Sequence, residues 1–219
     1  NKKKGKLTFM EKILIGIPNR GSLNPLFVDN LLKLKLPKNY ITEFNFVASY
    51  NIDCNRNELA KQVYADLNIK YLFFLDDDII VPEDGLLNLL ESPSYITSGI
   101  YRFKESIYQE NIPVIMPINK YNEKRFGRMT IEEFNNALND GNRYFITEGI
   151  GMGCCLINRC IFENIPYPYF NFHQGDIGMS GIGEDLHFCR LVYYYMPYVP
   201  ILVDKKVDCK HLLTHSFPL

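Results

Sequence analysis

Three consecutive carboxylates, Asp76, Asp77 and Asp78, close an apolar run formed by Tyr71, Leu72, Phe73, Phe74 and Leu75. Adjacent like charges repel, and a carboxylate is not buried without a partner. A divalent cation resolves the conflict. Mg²⁺ and Mn²⁺ take one or two carboxylates and complete their shell with water and a substrate's phosphates. If strand geometry continues past Leu75, Asp76 and Asp78 share one face and Asp77 points away, the spacing of a D-x-D metal site. A solvated acidic turn is the plainer alternative, since Pro82-Glu83-Asp84-Gly85 follows soon after.

Other residues carry chemistry only in combination. Glu184 and Asp185 follow Gly183 at a predicted helix start. Acids there suit the helix dipole, and a carboxylate beside a glycine loop can also accept a proton from a hydroxyl. Arg20, in Pro18-Asn19-Arg20-Gly21, and Arg56, in Asn55-Arg56-Asn57, fall at or near the carboxyl edge of the predicted sheet. Arginine there engages a diphosphate or stacks on a base, or simply forms a surface ion pair. His211 gains weight as a partner for the carboxylates, where imidazole favours Mn²⁺ over Mg²⁺. His173, His187 and His215 have no better claim. Gly149-x-Gly151-x-Gly153 precedes a strand, unlike the dinucleotide fingerprint, and fits close backbone approach to a sugar or a bulge. Tyr167, Tyr169, Phe170 and Phe172 either stack on an acceptor sugar or pack their loop.

The elements that must position these groups alternate through the first hundred residues. Strands are predicted over 13–17, 44–48, 71–75 and 96–101. Helices are predicted over 26–34, 55–67 and from about Pro82. Ala60, Val63, Tyr64 and Leu67 make the inner face of the second helix, with Asp53 or Asn55 as its cap. Leu86, Leu87 and Leu90 face inward from the third. This order argues for an α/β fold with a mostly parallel central sheet and helices on both faces. Residues 102–143 are less regular and form a candidate lid. A proline-broken strand is predicted over 112–118, and a capping box at Thr130-Ile131-Glu132-Glu133 opens a short helix. Strands over 144–147 and 154–158 flank the glycines. A loop covers 169–183, and a helix over 184–195 turns Leu186, Cys189 and Tyr193 inward. Strands over 201–203 and 207–209 finish the fold.

The 219 residues are 47% apolar and 14% aromatic, a globular composition sized for one domain. The net charge of −1 gives no strong field for nucleic acid or an anionic membrane. Lys2, Lys3, Lys4 and Lys6 crowd the start, while Met10-Glu11-Lys12-Ile13 has the look of a natural beginning. Residues 1–9 are therefore expected to be a basic extension foreign to the domain over 10–219. No apolar run is long enough for a transmembrane segment. The six cysteines form no CxxC pair, and Cys154-Cys155 sit in an apolar run, which suits free thiols in a reducing cytoplasm.

Together these segments resemble glycosyltransferases of the GT-A fold, a Rossmann-like class, and above all the small soluble enzymes of bacteria, archaea and their viruses. The matching stretches run in family order. They are Ile15-Gly-Ile-Pro-Asn-Arg20, Asn55-Arg-Asn-Glu-Leu-Ala60, Tyr71-Leu-Phe-Phe-Leu-Asp-Asp-Asp78, Gly151-Met-Gly-Cys-Cys-Leu-Ile157, Gly183-Glu-Asp-Leu-His-Phe-Cys-Arg190 and Val207-Asp-Cys-Lys-His211. The resemblance implies a nucleotide-binding half over about 13–101 and an acceptor half over 102–215. It implies that Pro18, Asn19, Arg20 and Arg56 hold the nucleotide of a UDP- or GDP-sugar donor. Asp76, with Asp77 beside it, would lie near the ribose or the metal. Asp78 and His211 would bind Mn²⁺ or Mg²⁺, and Gly151, Met152 and Gly153 would line the sugar pocket. Asp185, with Glu184 beside it, would be the base or the acceptor-binding acid toward a saccharide or other hydroxyl acceptor; as the base it makes the transfer inverting, whereas a retaining enzyme uses the same acids only to orient the acceptor. A haloacid-dehalogenase-like phosphohydrolase also places D-x-D after a buried strand, but it wants Thr or Ser soon after, where this chain has Ile79-Ile80-Val81. A nucleotidyltransferase expects a glycine-rich basic loop that Pro18-Asn19-Arg20-Gly21 matches poorly. A non-catalytic nucleotide-sugar-binding module is the remaining alternative.

Overall fold

Runs of Ile, Leu, Val and Phe too short for helices become strands buried on both faces. The computed structural model describes residues 10–49, 51–102, 115–116, 129–173 and 182–212. In chain order the elements are β1 (Lys12–Asn19), α1 (Pro25–Lys33), β2 (Ile41–Ala48), α2 (Ile52–Ala65), β3 (Ile69–Leu75), β4 (Ile79–Ile80), α3 (Gly85–Leu90) and β5 (Ile96–Ile100). They continue with β6 (Ile115–Met116), α4 (Ile131–Leu138), β7 (Tyr144–Thr147), β8 (Gly149–Ile150), β9 (Cys154–Asn158), α5 (Cys160–Asn164), α6 (Glu184–Tyr195), β10 (Ile201–Asp208) and β11 (Lys210–His211).

The main sheet has seven strands in the order β2-β1-β3-β9-β5-β10-β7. Five of them, β2, β1, β3, β5 and β10, run one way, and β9 and β7 run against them. The sheet is mostly parallel, as expected, but β3 and β5 are not neighbours: β9 is inserted between them. Sequence alternation cannot foresee a late strand filling a central slot.

Side chains alternate across β3 and feed two cores. Leu72 and Phe74 join the packing of α2, α4, α5 and α6 on one face, while Phe73 and Leu75 join α1 and α3 on the other. Helices therefore cover both faces, and each fully buried Phe or Leu contributes about 1.5–3 kcal/mol.

Several local expectations change. The α2 N-cap is Asn51, without a side-chain cap bond, instead of Asp53 or Asn55. Its buried face is Asn55, Arg56, Asn57, Leu59, Ala60 and Val63, while Tyr64 and Leu67 are exposed. The helix thus turns a polar stripe inward, which apolar periodicity cannot show. Helix α3 starts at Gly85 and buries Leu86 and Leu89, leaving Pro82 in the approach. In α6 the buried residues are Glu184, Phe188, Cys189 and Val192, with Tyr193 half exposed. The two predicted final strands are one, β10, whose pairing with β5 shifts register after Val203. The Thr130 capping box forms as read, with Thr130 Oγ1 accepting from the Glu133 N–H and the Glu133 carboxylate accepting from the Thr130 N–H. Of the candidate lid, 103–114 and 117–128 lie outside the described residues, as do 1–9, 174–181 and His215. Among the described residues no helix is long and apolar enough to cross a membrane.

Candidate active site

Because five strands share a direction, their carboxyl ends share an edge, and an open cleft lies there. It measures about 770 Å³. Pro18, Asn19 and Arg20 reach it from the end of β1, Ser49 and Asn51 from the end of β2, and Asp76, Asp77 and Asp78 from the end of β3. Tyr101 follows β5, Met152 precedes β9, and Glu184 and Asp185 open α6.

Strand geometry does not persist through the acids. β3 ends at Leu75, and a tight turn follows in which the Ile79 N–H donates to the Asp76 carbonyl at 3.0 Å. The expected shared face of Asp76 and Asp78 is therefore replaced by a turn that separates their tasks.

Asp76 is taken by Arg56. The guanidinium donates to both carboxylate oxygens at 3.0 Å, and its Nε donates to Glu184 at 3.3 Å. Arg56 is 3% exposed and lies over the Phe74 ring, 5.3 Å from its centroid. Burial alone lowers the guanidinium's pKa, but the charge and hydrogen bonds of Asp76, then the charge of Glu184, outweigh it and raise it above its ordinary value. Arg56 and Glu184 both line the cleft, and there Arg56 is a buried cation joining the β3 end to the α6 start, with Glu184 as its second anion. A buried guanidinium demands such partners.

Asp78 meets His211 through the smallest elements of the fold. β11 pairs antiparallel with β4, placing His211 opposite Ile79, and the Leu212 N–H donates to the Asp78 carbonyl at 2.7 Å. His211 Nε2 lies 3.5 Å from Asp78 Oδ1, and Nδ1 lies 2.7 Å from the Arg102 carbonyl. A carbonyl only accepts, so Nδ1 carries a hydrogen and Nε2 is turned to the carboxylate, where the pair attracts through a proton or a cation between them. A metal-binding histidine commonly anchors its other nitrogen on a backbone carbonyl in this way. The donor set therefore fits a divalent ion held by one carboxylate and one imidazole. Among the described residues, no group of three or more His, Cys, Asp or Glu is arranged to cage a metal.

Asp185 is different. Its Oδ1 accepts from the Leu186 N–H at 2.7 Å, and a Cβ on Gly183 would come within 2.8 Å of that oxygen, so only glycine leaves room for this fold-back. Burial, then the charge of Glu184, push its pKa up to about 6. No ion pair reaches it among the described residues.

The α6 start is set by packing. Phe188 stacks on Phe170 at 5.0 Å, and Phe170 meets Phe74 of β3 edge-on at 5.4 Å. Buried Asn57 of α2 accepts from the Tyr169 and Phe170 N–H groups and donates to the Phe170 carbonyl. Tyr169 and Phe170 thus pack the core, whereas Phe172 is half exposed and lines the cleft. Of the glycines, Gly151 and Gly153 are buried and only Met152 lines the cleft. Gly153 acts through its backbone, accepting from the Asp76 N–H at 2.9 Å and donating to the Tyr101 hydroxyl at 3.0 Å.

Tyr101 carries no motif signal in the sequence, and Asn55 and Asn57 stand in a matching stretch without an assigned site role. The Asn55 amide donates to the Asn19 carbonyl at 3.3 Å while its Oδ1 is buried without a donor.

No protein-family model matches this chain, and no curated protein does. Solved structures do. A197 from STIV superposes with a TM-score of 0.60 at 16% identity, covering 92% of this chain and 86% of A197. GalNAc-T7, solved with UDP, GalNAc and Mn²⁺, superposes with a TM-score of 0.52 at 12% identity, covering 95% of this chain but 45% of GalNAc-T7. At such identities the likeness speaks for the backbone alone, and that backbone is a GT-A-like fold.

Proposed function

We propose that the protein is a metal-dependent glycosyltransferase that moves a sugar from a nucleoside diphosphate to an acceptor hydroxyl with inversion. The observation that carries this reading is the division of labour among carboxylates in one cleft. Asp76 is paired with Arg56, Asp78 faces the His211 imidazole, and Asp185 has a raised pKa and no ion pair among the described residues. The cleft volume suits a drug-sized ligand such as a sugar nucleotide. Binding of UDP and Mn²⁺ by GalNAc-T7 supports the same donor class.

In this reading the nucleotide lies on the 13–101 half, against Pro18, Asn19 and the exposed Arg20. The acceptor enters from the 102–215 half, where Phe172 offers an aromatic face. Asp78 and His211 hold the ion, which when bound neutralises charge on the departing diphosphate. Asp185 takes the proton of the attacking hydroxyl, and a pKa near 6 lets it be ionised at neutral pH while remaining a useful base. Attack from the Asp185 side, opposite the diphosphate, inverts the anomeric carbon. Asp76, with both oxygens held by Arg56, makes a poor phosphohydrolase nucleophile. Free, mostly buried thiols suit a cytoplasmic setting.

Calorimetric titration of UDP, GDP, CDP and dTDP, with Mn²⁺ and with chelator, tests the reading on wild type and Asp78→Ala. One nucleotide is expected to bind, and to lose at least tenfold in affinity on removing either the ion or Asp78. Folded protein that binds none of them with Mn²⁺ overturns the proposal.

A further inference from the structure

Tyr101, just after β5, is a polar group of the cleft. Its side chain is nearly buried, at 7% exposed, and its ring meets that of His211 edge-on with centroids 6.0 Å apart. A Cβ on Gly153 would lie 3.2 Å from both Tyr101 Cζ and Asp76 Oδ2, so the phenol and that carboxylate flank the same glycine. The Gly153 N–H donates to the phenol oxygen at 3.0 Å. An oxygen that accepts from one side directs its own proton to another, and no described residue accepts that proton. A buried hydroxyl without an acceptor is costly, so a bound ligand is the natural partner. A phenol is neutral at neutral pH. A neutral donor among carboxylates suits a neutral hydroxyl. The diphosphate belongs on the Asp78–His211 side, and the transferred sugar must lie between it and Asp185, where Tyr101 stands.

We infer that Tyr101 donates a hydrogen bond to a hydroxyl of the transferred sugar and thereby helps select the donor. This rests on the glycosyltransferase reading. The test compares a sugar nucleotide with its bare diphosphate in Mn²⁺ by calorimetry, on wild type and Tyr101→Phe. The sugar nucleotide is whichever of UDP-glucose, UDP-galactose, UDP-GlcNAc, UDP-GalNAc and GDP-mannose wild type binds most tightly. The variant is expected to weaken the sugar nucleotide roughly five- to twentyfold and the bare diphosphate less than twofold. Equal loss for both ligands, or loss for neither, overturns the inference and leaves the glycosyltransferase reading standing. A wild type that binds no nucleotide overturns both. Because Tyr101→Phe also strips the Gly153 N–H of its acceptor, 3-fluorotyrosine at position 101 is the second variant. It keeps that bond and donates more strongly, so roughly two- to threefold tighter binding of the sugar nucleotide alone is expected, and an unchanged affinity overturns the inference.

Discussion

Asp76 and Asp185 line the same cleft under opposite electrostatics. Asp76 sits at the end of a central strand with both oxygens on Arg56, so its charge is cancelled and its position fixed. Asp185 sits at a helix start with one backbone N–H and a neighbouring anion, and its pKa rises to about 6. The same side chain is held in an ion pair where a buried cation meets it and has its pKa raised where burial outweighs its compensating contacts. Arg56 links the two, since its remaining nitrogen holds Glu184, whose charge adds to burial in raising the Asp185 pKa while the charge of Arg56 itself lowers it.

The sharpest break of this contrast is Asp185→Asn. It is expected to cut transfer roughly 10²–10⁴-fold while leaving nucleotide affinity within about twofold. Assays with the sugar donor and calorimetry with the bare nucleotide check the two halves. Wild-type activity should rise with pH through about 6 as Asp185 ionises. The stability effect has the opposite sign. Asp185 binds its proton more tightly folded than unfolded, so its contribution is full below its ordinary 3.8 and is lost as pH rises through about 6. Thermal melts of Asp185→Asn should lack that decline.

Arg56→Met comes next. It leaves Asp76 and Glu184 without their buried cation, and a loss of about 3–5 kcal/mol is expected. Tm should fall by roughly 6–20 °C. A stable Arg56→Met protein with normal activity would erase the contrast. The smallest effect is expected at Thr130→Ala, which removes the α4 cap far from these acids. About 1 kcal/mol of stability should go, with nucleotide binding unchanged, as melts and calorimetry will show.

The sequence made the cleft partly legible. Apolar runs ending at Pro18 and Asp76 place two groups of candidates at one sheet edge, because strand direction follows from β-α-β alternation, while Glu184 is legible only as a helix opening. It could also place Thr130 as a cap, since that signal is local. It could not assign partners. Arg56 and Glu184 are 128 residues apart, and Tyr101 and Gly153 are 52 apart. Neither pair leaves a periodic trace.

What the sequence determined by itself, then, is the inventory: an α/β chain whose acids, arginines and glycines gather where parallel strands end. Local patterning suffices for that, because burial of alternating apolar faces is read residue by residue. Only the tertiary structure decided which carboxylate is neutralised, which faces an imidazole and which is left to titrate. Those outcomes depend on burial and on charges brought within a few ångströms by β9, β11 and the Phe74–Phe170–Phe188 packing, and electrostatic energy is set by distance in space, not along the chain.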